Sequence, residues 1–386
     1  MKHKNVLYIG GFELPDKNAA AHRVLSNGKI LNELGCKMFY MGISHNEECD
    51  RNILKTKEVK NYGIDYKVKY PNSKIAWFNY LYNISSIVSL IEDNDIDLII
   101  AYNYPALSLF KLYKYCRKQK IKLISDCTEW YVPQGNIFFK IIKGLDTFFR
   151  MRVIHPKLDG LIVISKYLNN YYSNKNKNII LVPPLIDLND LKWNQKINYN
   201  NPVCSFIYAG SPDSKAKDHL GKIISAFKGV NKEFNFSILG ITLEDYNKIW
   251  QDSPIPSSLN EKIKFYGRVS NIEVIKNLKK ADFSIFIRED NLITKAGFPT
   301  KFVESITAGT PVLSNKCSNI DDYLIEGENG FFLDISDVST LTNSLNFVLN
   351  QSRDLIDEMK LNCKKYSRFN YLEYKDDFMR LLSFHK

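Results

Sequence analysis

Phe206-Ile207-Tyr208-Ala209-Gly210 follows a polar stretch from Leu188 to Pro202 that is heavy in Asn and Lys, and it restarts a pattern already run through once. A short apolar run that closes on glycine reads as a buried strand with a tight turn at its carboxyl end. Earlier runs of this kind are Asn5–Ile9, which leads into Gly10-Gly11, then Leu98–Ile100, Lys122–Ile124, Gly160–Ile164 and Ile179–Val182. Pro183-Pro184 ends that series. Later ones are Phe236–Leu239, Ile263–Phe265, Phe283–Ile287 and Thr310–Leu313. Helix-length amphipathic segments alternate with them, the first from about Ala19 to Leu34 with a stop at Gly35. The pattern predicts two successive doubly wound α/β domains with Rossmann-like sheets. Their expected limits are residues 1–187, a linker over 188–202, residues 203–366, and a C-terminal helix over 367–386 that returns to the first domain. Ligands of such sheets sit beyond the carboxyl ends of the strands, so the expected site is a cleft between the domains.

A chain of 386 residues is long enough for two cores. A formal charge of +11 asks for an anionic partner, whether nucleic acid, an acidic membrane surface or a phosphorylated substrate. The lysines are dispersed and accompany no recognition motif, which argues against nucleic acid. The cysteines are scattered without a CxxC pair, which argues against a disulfide framework or a zinc site and for a reducing, cytoplasmic setting. No apolar run reaches the roughly 18 residues a membrane span needs. The expectation is a soluble or peripheral protein with neither metal nor cofactor.

Gly297-Phe298-Pro299-Thr300-Lys301-Phe302-Val303-Glu304 precedes Ser305-Ile306-Thr307-Ala308-Gly309-Thr310-Pro311-Val312. Pro299 suits a helix start and Gly309 its end. At 100° per residue Phe302 and Ile306 share one face, with Thr300, Lys301, Glu304 and Ala308 opposite. A helix start offers free N–H groups to phosphate, Gly297 lets it approach, Lys301 adds charge, and Glu304 can accept from two sugar hydroxyls. The plain alternative is a surface helix with a solvated Lys301–Glu304 pair.

The run from Gly297 to Val312 resembles the donor-binding helix of the family 4 glycosyltransferases, which have the GT-B fold. Tyr208-Ala209-Gly210 with Lys217-Asp218 resembles that family's strand–Gly–Lys element, and Phe265-Tyr266-Gly267-Arg268-Val269 its base-binding stretch. Asp159 to Ser165 and Val182 to Asp187 match in order and spacing. The resemblance implies transfer of a sugar from a UDP- or GDP-sugar to a saccharide or lipid-linked acceptor, with retention and without metal, of the bacterial surface-polysaccharide type. It implies that Gly210, Ser211, Lys215, Lys217, Arg268, Val269, Gly297, Phe298, Pro299, Thr300, Lys301 and Glu304 surround the donor. It further implies that Glu304 holds the donor ribose and that Lys217 assists departure of the diphosphate. Two positions depart from the family. Ala296 stands where the first Glu of a Glu-x7-Glu pair contacts the sugar, and Ser211 stands where an Arg shares the diphosphate. Lys215, Arg268 or Lys301 is expected to replace that charge. With both departures, a non-catalytic binding relative or a GT-B nucleotide-sugar epimerase stays open beside the transferase.

On the acceptor side, Asp126-Cys127-Thr128-Glu129-Trp130-Tyr131 follows a strand. Carboxylates take hydroxyls and aromatic faces take the C–H edge of a sugar, so Asp126 or Glu129 is the expected base and Trp130 the expected platform. A helix cap by Asp126 with core packing by Trp130 is the equal alternative. The loop Pro15–Asn18 resembles the family's N-terminal glycine-rich loop, with Ala19-Ala20-Ala21 in place of most of its glycine, and Gly11, His22 and Arg23 near it are expected acceptor contacts. The stretch from Ile137 to Val153 puts Phe138, Ile141, Ile142, Leu145, Phe148 and Phe149 on one side and Lys140, Lys143 and Arg150 near the other. Such a helix either faces the core or rests on an anionic bilayer, on the inner face of the plasma membrane.

Overall fold

The computed structural model describes residues 4–45, 55–59, 62–132, 137–195, 201–212 and 218–383. The chain divides into two compact units, Met1–Leu185 with Asn370–Lys386, and Ile186–Phe369.

The first unit is built on β1 (Asn5–Gly10), β2 (Lys37–Ser44), β3 (Lys55–Val59), β4 (Gly63–Lys69), β5 (Leu98–Tyr102), β6 (Lys122–Cys127), β7 (Gly160–Val163) and β8 (Ile179–Leu181). They lie in the order β3-β4-β2-β1-β5-β6-β7-β8, parallel throughout except for β3 against β4. The crossover helices are α1 (Ala19–Glu33), α2 (Lys74–Tyr82), α3 (Ser85–Asp93), α4 (Ala106–Gln119), α5 (Ile137–Phe148) and α6 (Lys166–Tyr172). Asn18 caps α1 by accepting from the Ala21 amide at 2.8 Å.

The second unit carries β9 (Cys204–Ala209), β10 (Phe234–Leu239), β11 (Ile263–Phe265), β12 (Phe283–Ile285), β13 (Val312–Ser314) and β14 (Gly330–Phe332), all parallel in the order β11-β10-β9-β12-β13-β14. Around it run α7 (Leu191–Asn194), α8 (Leu220–Phe227), α9 (Leu243–Ile249), α10 (Asn271–Lys280), α11 (Leu292–Ala296), α12 (Thr300–Ala308), α13 (Val338–Leu349) and α14 (Arg353–Tyr366). A last helix, α15 (Lys375–Ser383), belongs to the first unit, where Phe378, Leu381 and Leu382 join Val6, Ile124, Ile162 and Ile180 in the core.

Both faces of β9 are buried, which is why its run is almost wholly apolar. Phe206 points into an aromatic layer with Phe227, Phe234 and Phe283, while Ile207 and Ala209 pack on the other side against Ile275, Leu278 and Ala308. Cutting Phe206 to alanine is expected to cost about 3–5 kcal/mol. Part of the polar stretch read as a linker is ordered structure: Trp193 of α7 packs against the Ile207 layer, and the Lys279 ammonium donates to the carbonyls of Trp193 and Gln195 at 2.7 and 2.8 Å. Residues 196–200 lie outside the described residues.

Candidate active site

The strand order of the second unit reverses between β9 and β12, so the loops leaving these strands diverge and open a crevice at their carboxyl ends. Its floor is low because glycines meet there. The Gly210 amide donates to Leu239 and the Gly240 amide to Gly267, at 3.0 and 2.7 Å. Gly240 has φ of +99°, and a Cβ there would stand 2.2 Å from the Gly210 carbonyl oxygen. Any other residue would strain the backbone and push these strand ends apart.

Beside this floor lies a buried charge cluster. Asp218 is buried and accepts from the Tyr208 hydroxyl at 2.7 Å. Its other oxygen is 3.0 Å from Arg288 Nε, while Lys301, from the start of α12, pairs with the oxygen that Tyr208 donates to. Burial raises the Asp218 carboxyl, but the Lys301 ammonium and the Arg288 guanidinium outweigh this and hold it well below the usual carboxylate range. Burial lowers the Lys301 ammonium, and Asp218 opposes that. The backbone of Arg288 is pinned from both sides by Asn315, whose side-chain oxygen accepts from its amide and whose side-chain nitrogen donates to its carbonyl, each at 2.8 Å.

This geometry corrects two expectations. Lys301 is neither on a solvated face nor paired with Glu304: it is buried against Asp218 and the Tyr208 hydroxyl, 3.1 Å away. Phe298 is not open to a ligand, since its ring is buried among Phe302, Tyr323 and Phe369. Arg288 was missed, because it sits beyond the end of β12 in a run that matches no motif. Only its place in the sheet order marks it.

The helix α12 begins after Pro299, with no side-chain cap, and ends at Gly309 in the left-handed conformation. Thr300 is exposed at its start, and Glu304 is half-buried one turn in. The Asn271 amide donates to Glu304 at 3.3 Å, and Lys192 donates to the same Asn271 at 2.9 Å. Burial raises the Glu304 carboxyl, with Asn271, Lys192 and Lys301 in opposition. Ala296, at the end of α11, is fully buried. Ser211 and Arg268 are exposed, Gly210 and Gly297 are half-buried, and half-buried Val269 packs on the Ile207 layer. Lys215 and Lys217 lie outside the described residues.

In the first unit Asp126 is fully buried at the end of β6. Arg23 grips it through Nε and a terminal nitrogen at 3.0 and 2.8 Å, and the Tyr8 hydroxyl donates to it at 2.6 Å. Another terminal nitrogen of Arg23 donates to the Val182 carbonyl at 2.8 Å. This corrects the expectation of an open base at Asp126 and of an acceptor contact from Arg23: both are enclosed, and each satisfies the other. Glu129 and Trp130 are half-buried. Trp130 stands edge-on to Tyr171, with centroids 4.9 Å apart, and borders an open pocket of about 200 Å³ with Tyr131, Phe148 and Arg152. Gly11 is exposed with open space at its Cα, and His22 is half-buried.

Residues 197–369 match the family described as glycosyl transferases group 1. The second unit, which contains that match, is similar to a group 1 glycosyltransferase domain. The fold of the whole chain is GT-B, shared with sucrose-phosphate synthase from Thermosynechococcus elongatus at a TM-score of 0.76 and 12% identity over 98% of both chains. Anabaena HepE, solved in complex with UDP and glucose, aligns at a TM-score of 0.70 and 13% identity, over 99% of this chain and 100% of that one. An uncharacterized glycosyltransferase of Methanocaldococcus jannaschii is 26% identical over 301 residues, 76% of this chain and 77% of that protein.

Proposed function

We propose that this glycosyltransferase moves a sugar from a UDP- or GDP-sugar to a saccharide or lipid-linked acceptor, with retention and without metal, in the building of a surface polysaccharide. One observation carries the reading. Among the described residues at the crevice, one carboxylate, Asp218, is ion-paired with two cations, Lys301 and Arg288, so the ion-paired set holds a surplus positive charge. Breaking a glycosyl–phosphate bond gathers negative charge on the departing diphosphate, and a fixed cation aimed there lowers the barrier by about 2.7–4 kcal/mol. Arg288 meets Asp218 through Nε, which leaves its terminal amino groups for the diphosphate in place of the arginine absent at Ser211. Glu304 is the group for the ribose hydroxyls, α12 offers its start to phosphate, and Lys217 adds a further cation. Glu129 and Trp130 are the groups for the acceptor. A lipid-linked acceptor sets the work at an anionic membrane face, and a free saccharide does not.

Slow donor hydrolysis tests this. UDP- and GDP-sugars are incubated with the chain, with and without EDTA, and the released sugar is followed by proton NMR for its anomeric form. The expected result is hydrolysis of one donor with retention, indifferent to EDTA, slowed strongly by Arg288→Ala and less by Glu304→Ala. Binding of nucleotide without turnover, in the presence of both soluble and vesicle-borne acceptors, would sink the transferase in favour of a binding protein. Conversion of one nucleotide sugar into another would replace it with an epimerase.

A further inference from the structure

The amphipathic helix α5 is turned inside out. In a helix of a soluble domain the apolar stripe faces the core and the polar side faces water. Ile137, Ile141, Leu145 and Phe148 recur at a spacing that keeps them on one stripe, and all four are exposed, Ile137 by 78%. Ile142 and Phe149 beside them are exposed as well. Among the described side chains of α5 the inward ones are polar, and hydrogen bonds hold this side in place. Asp146 accepts from the Ala106 amide at 2.7 Å, Thr147 donates to the Tyr131 carbonyl at 3.4 Å, and Arg150, in the π-helical turn Phe149–Ile154, donates to the Asn103 carbonyl at 3.3 Å. Rolling the stripe inward would break all three contacts and bury unpaired polar groups, each at a cost of about 1–3 kcal/mol. The outward apolar stripe is therefore a fixed feature of the fold.

Its neighbours extend it. The helix α4 packs against both α5 and α2. No residue of α2 is buried, although its sequence is Lys-Ile-Ala-Trp-Phe-Asn-Tyr-Leu-Tyr, and Ile75 and Phe78 are exposed by 76% and 63%. Leu107 and Phe110 of α4 are exposed too. Cations are set among these side chains. The Lys111 ammonium lies 2.9 Å from the centroid of the Tyr82 ring, Lys143 sits over Tyr131, and Arg152 sits over Phe148. Lys74, Lys114 and Lys140 are exposed. Across α2, α4, α5 and the π-helical turn the one acidic residue is Asp146, which is turned inward to the Ala106 amide.

An apolar face this broad is more than scattered surface hydrophobics explain. The arrangement of exposed aliphatic and aromatic side chains, set among cations and without an outward acid on α2, α4 or α5 themselves, matches the boundary of an anionic bilayer: acyl chains take the first and headgroup phosphates are drawn to the second. We infer that α2, α4 and α5 form a membrane-docking face that seats the first unit on an anionic lipid surface. Docking of this kind is peripheral, since no helix among the described residues is long and apolar enough to cross a membrane. The inference stands apart from sugar transfer. A chain that binds lipid and turns over no donor would remove the proposed activity and leave this face intact.

Co-sedimentation of the full chain with vesicles tests it, using phosphatidylglycerol mixed into phosphatidylcholine against phosphatidylcholine alone. The expected result is binding to the anionic vesicles only, weakening as salt is raised. The double change Ile141→Glu with Leu145→Glu is expected to lower the affinity on the order of tenfold or more. Lys140→Glu with Arg152→Glu is expected to remove the preference for anionic lipid. All four side chains are exposed, so unfolding transitions and donor hydrolysis in solution serve as controls that stay unchanged. The inference is overturned if the unaltered chain ignores both vesicles, or if the variants bind as it does. It is overturned equally if the chain is a dimer that Ile141→Glu converts to monomer, because a second copy then covers the face.

Discussion

The two units place a tyrosine, an aspartate and cations at the carboxyl ends of their sheets, and the two clusters are used differently. Tyr8 on β1 and Tyr208 on β9 each donate a short hydrogen bond to a buried aspartate, Asp126 at 2.6 Å and Asp218 at 2.7 Å. In the first unit one arginine answers one carboxylate, and its remaining nitrogen goes to two backbone carbonyls. Nothing is left over. In the second unit two cations answer one carboxylate, and Arg288 spends only Nε on it. The contrast teaches that what separates the two clusters is charge imbalance, since burial and hydrogen bonding are common to both, and on the proposed function it is this imbalance that would draw the diphosphate.

The strongest way to break this comparison is to remove the shared aspartate. Asp218→Asn leaves Lys301 buried without its counter-charge, and Asp126→Asn does the same to Arg23. Each is expected to lose about 3–5 kcal/mol in denaturant unfolding. Equal losses would affirm that both clusters hold their units together. A loss under about 1 kcal/mol at Asp218 would mean that the second cluster is solvated instead. The sign with pH follows from the depressed Asp218 carboxyl: its stabilising contribution is complete above the ordinary value of 3.8 and drains away as pH falls below it.

Removing the surplus cation separates the clusters. Arg288→Ala is expected to slow donor hydrolysis by roughly 10²–10³-fold while costing little stability, whereas Arg23→Ala is expected to destabilise its unit strongly. Calorimetry beside the hydrolysis assay reads both effects, and a purely structural Arg288 would reverse the pattern. The smallest expected effect belongs to Glu304. Its carboxyl is raised above the ordinary 4.5, and ribose hydroxyls need the ionised form as acceptor. Nucleotide affinity should therefore fall on acidification at a higher pH than an ordinary glutamate would give. Glu304→Gln should flatten that acid limb and weaken binding by about tenfold. An unshifted limb in the variant would assign it to another group.

Much of the fold was readable because parallel strands covered on both faces must be continuously apolar, as Phe206–Ala209 and Phe283–Ile287 are. β2 escaped notice because Lys37-Met38-Phe39-Tyr40-Met41-Gly42 lacks the β-branched residues that mark its neighbours. β14 escaped because Gly330-Phe331-Phe332 opens on glycine and holds no β-branched residue. At the site, α12 and its boundaries could be read from Pro299 and Gly309, whose backbone preferences are local. The partners of Lys301 could not. Helical spacing offered Glu304 at i+3, while the nearer carboxylate comes from a loop 83 positions earlier in the chain. The orientation of α5 was equally hidden, since an apolar stripe is written the same way whether it meets a core or a lipid. Only the polar contacts of Asp146, Thr147 and Arg150 decide between them.

Asn315 has a consequence for how such a site can drift over generations. It returns to Arg288 both of the bonds that a neighbouring strand would supply, so one side chain imitates a strand for the length of one residue. A carboxamide offers its N–H donor and its carbonyl acceptor side by side in one plane, as a peptide group does. The residue at 288 can thus be exchanged to suit another leaving group while its backbone keeps its place. The residue at 315 has no such freedom. Asn315→Asp is expected to loosen the loop whatever side chain 288 carries, and hydrogen exchange at the Arg288 amide would register it. Inherited variety should gather at 288 and be refused at 315.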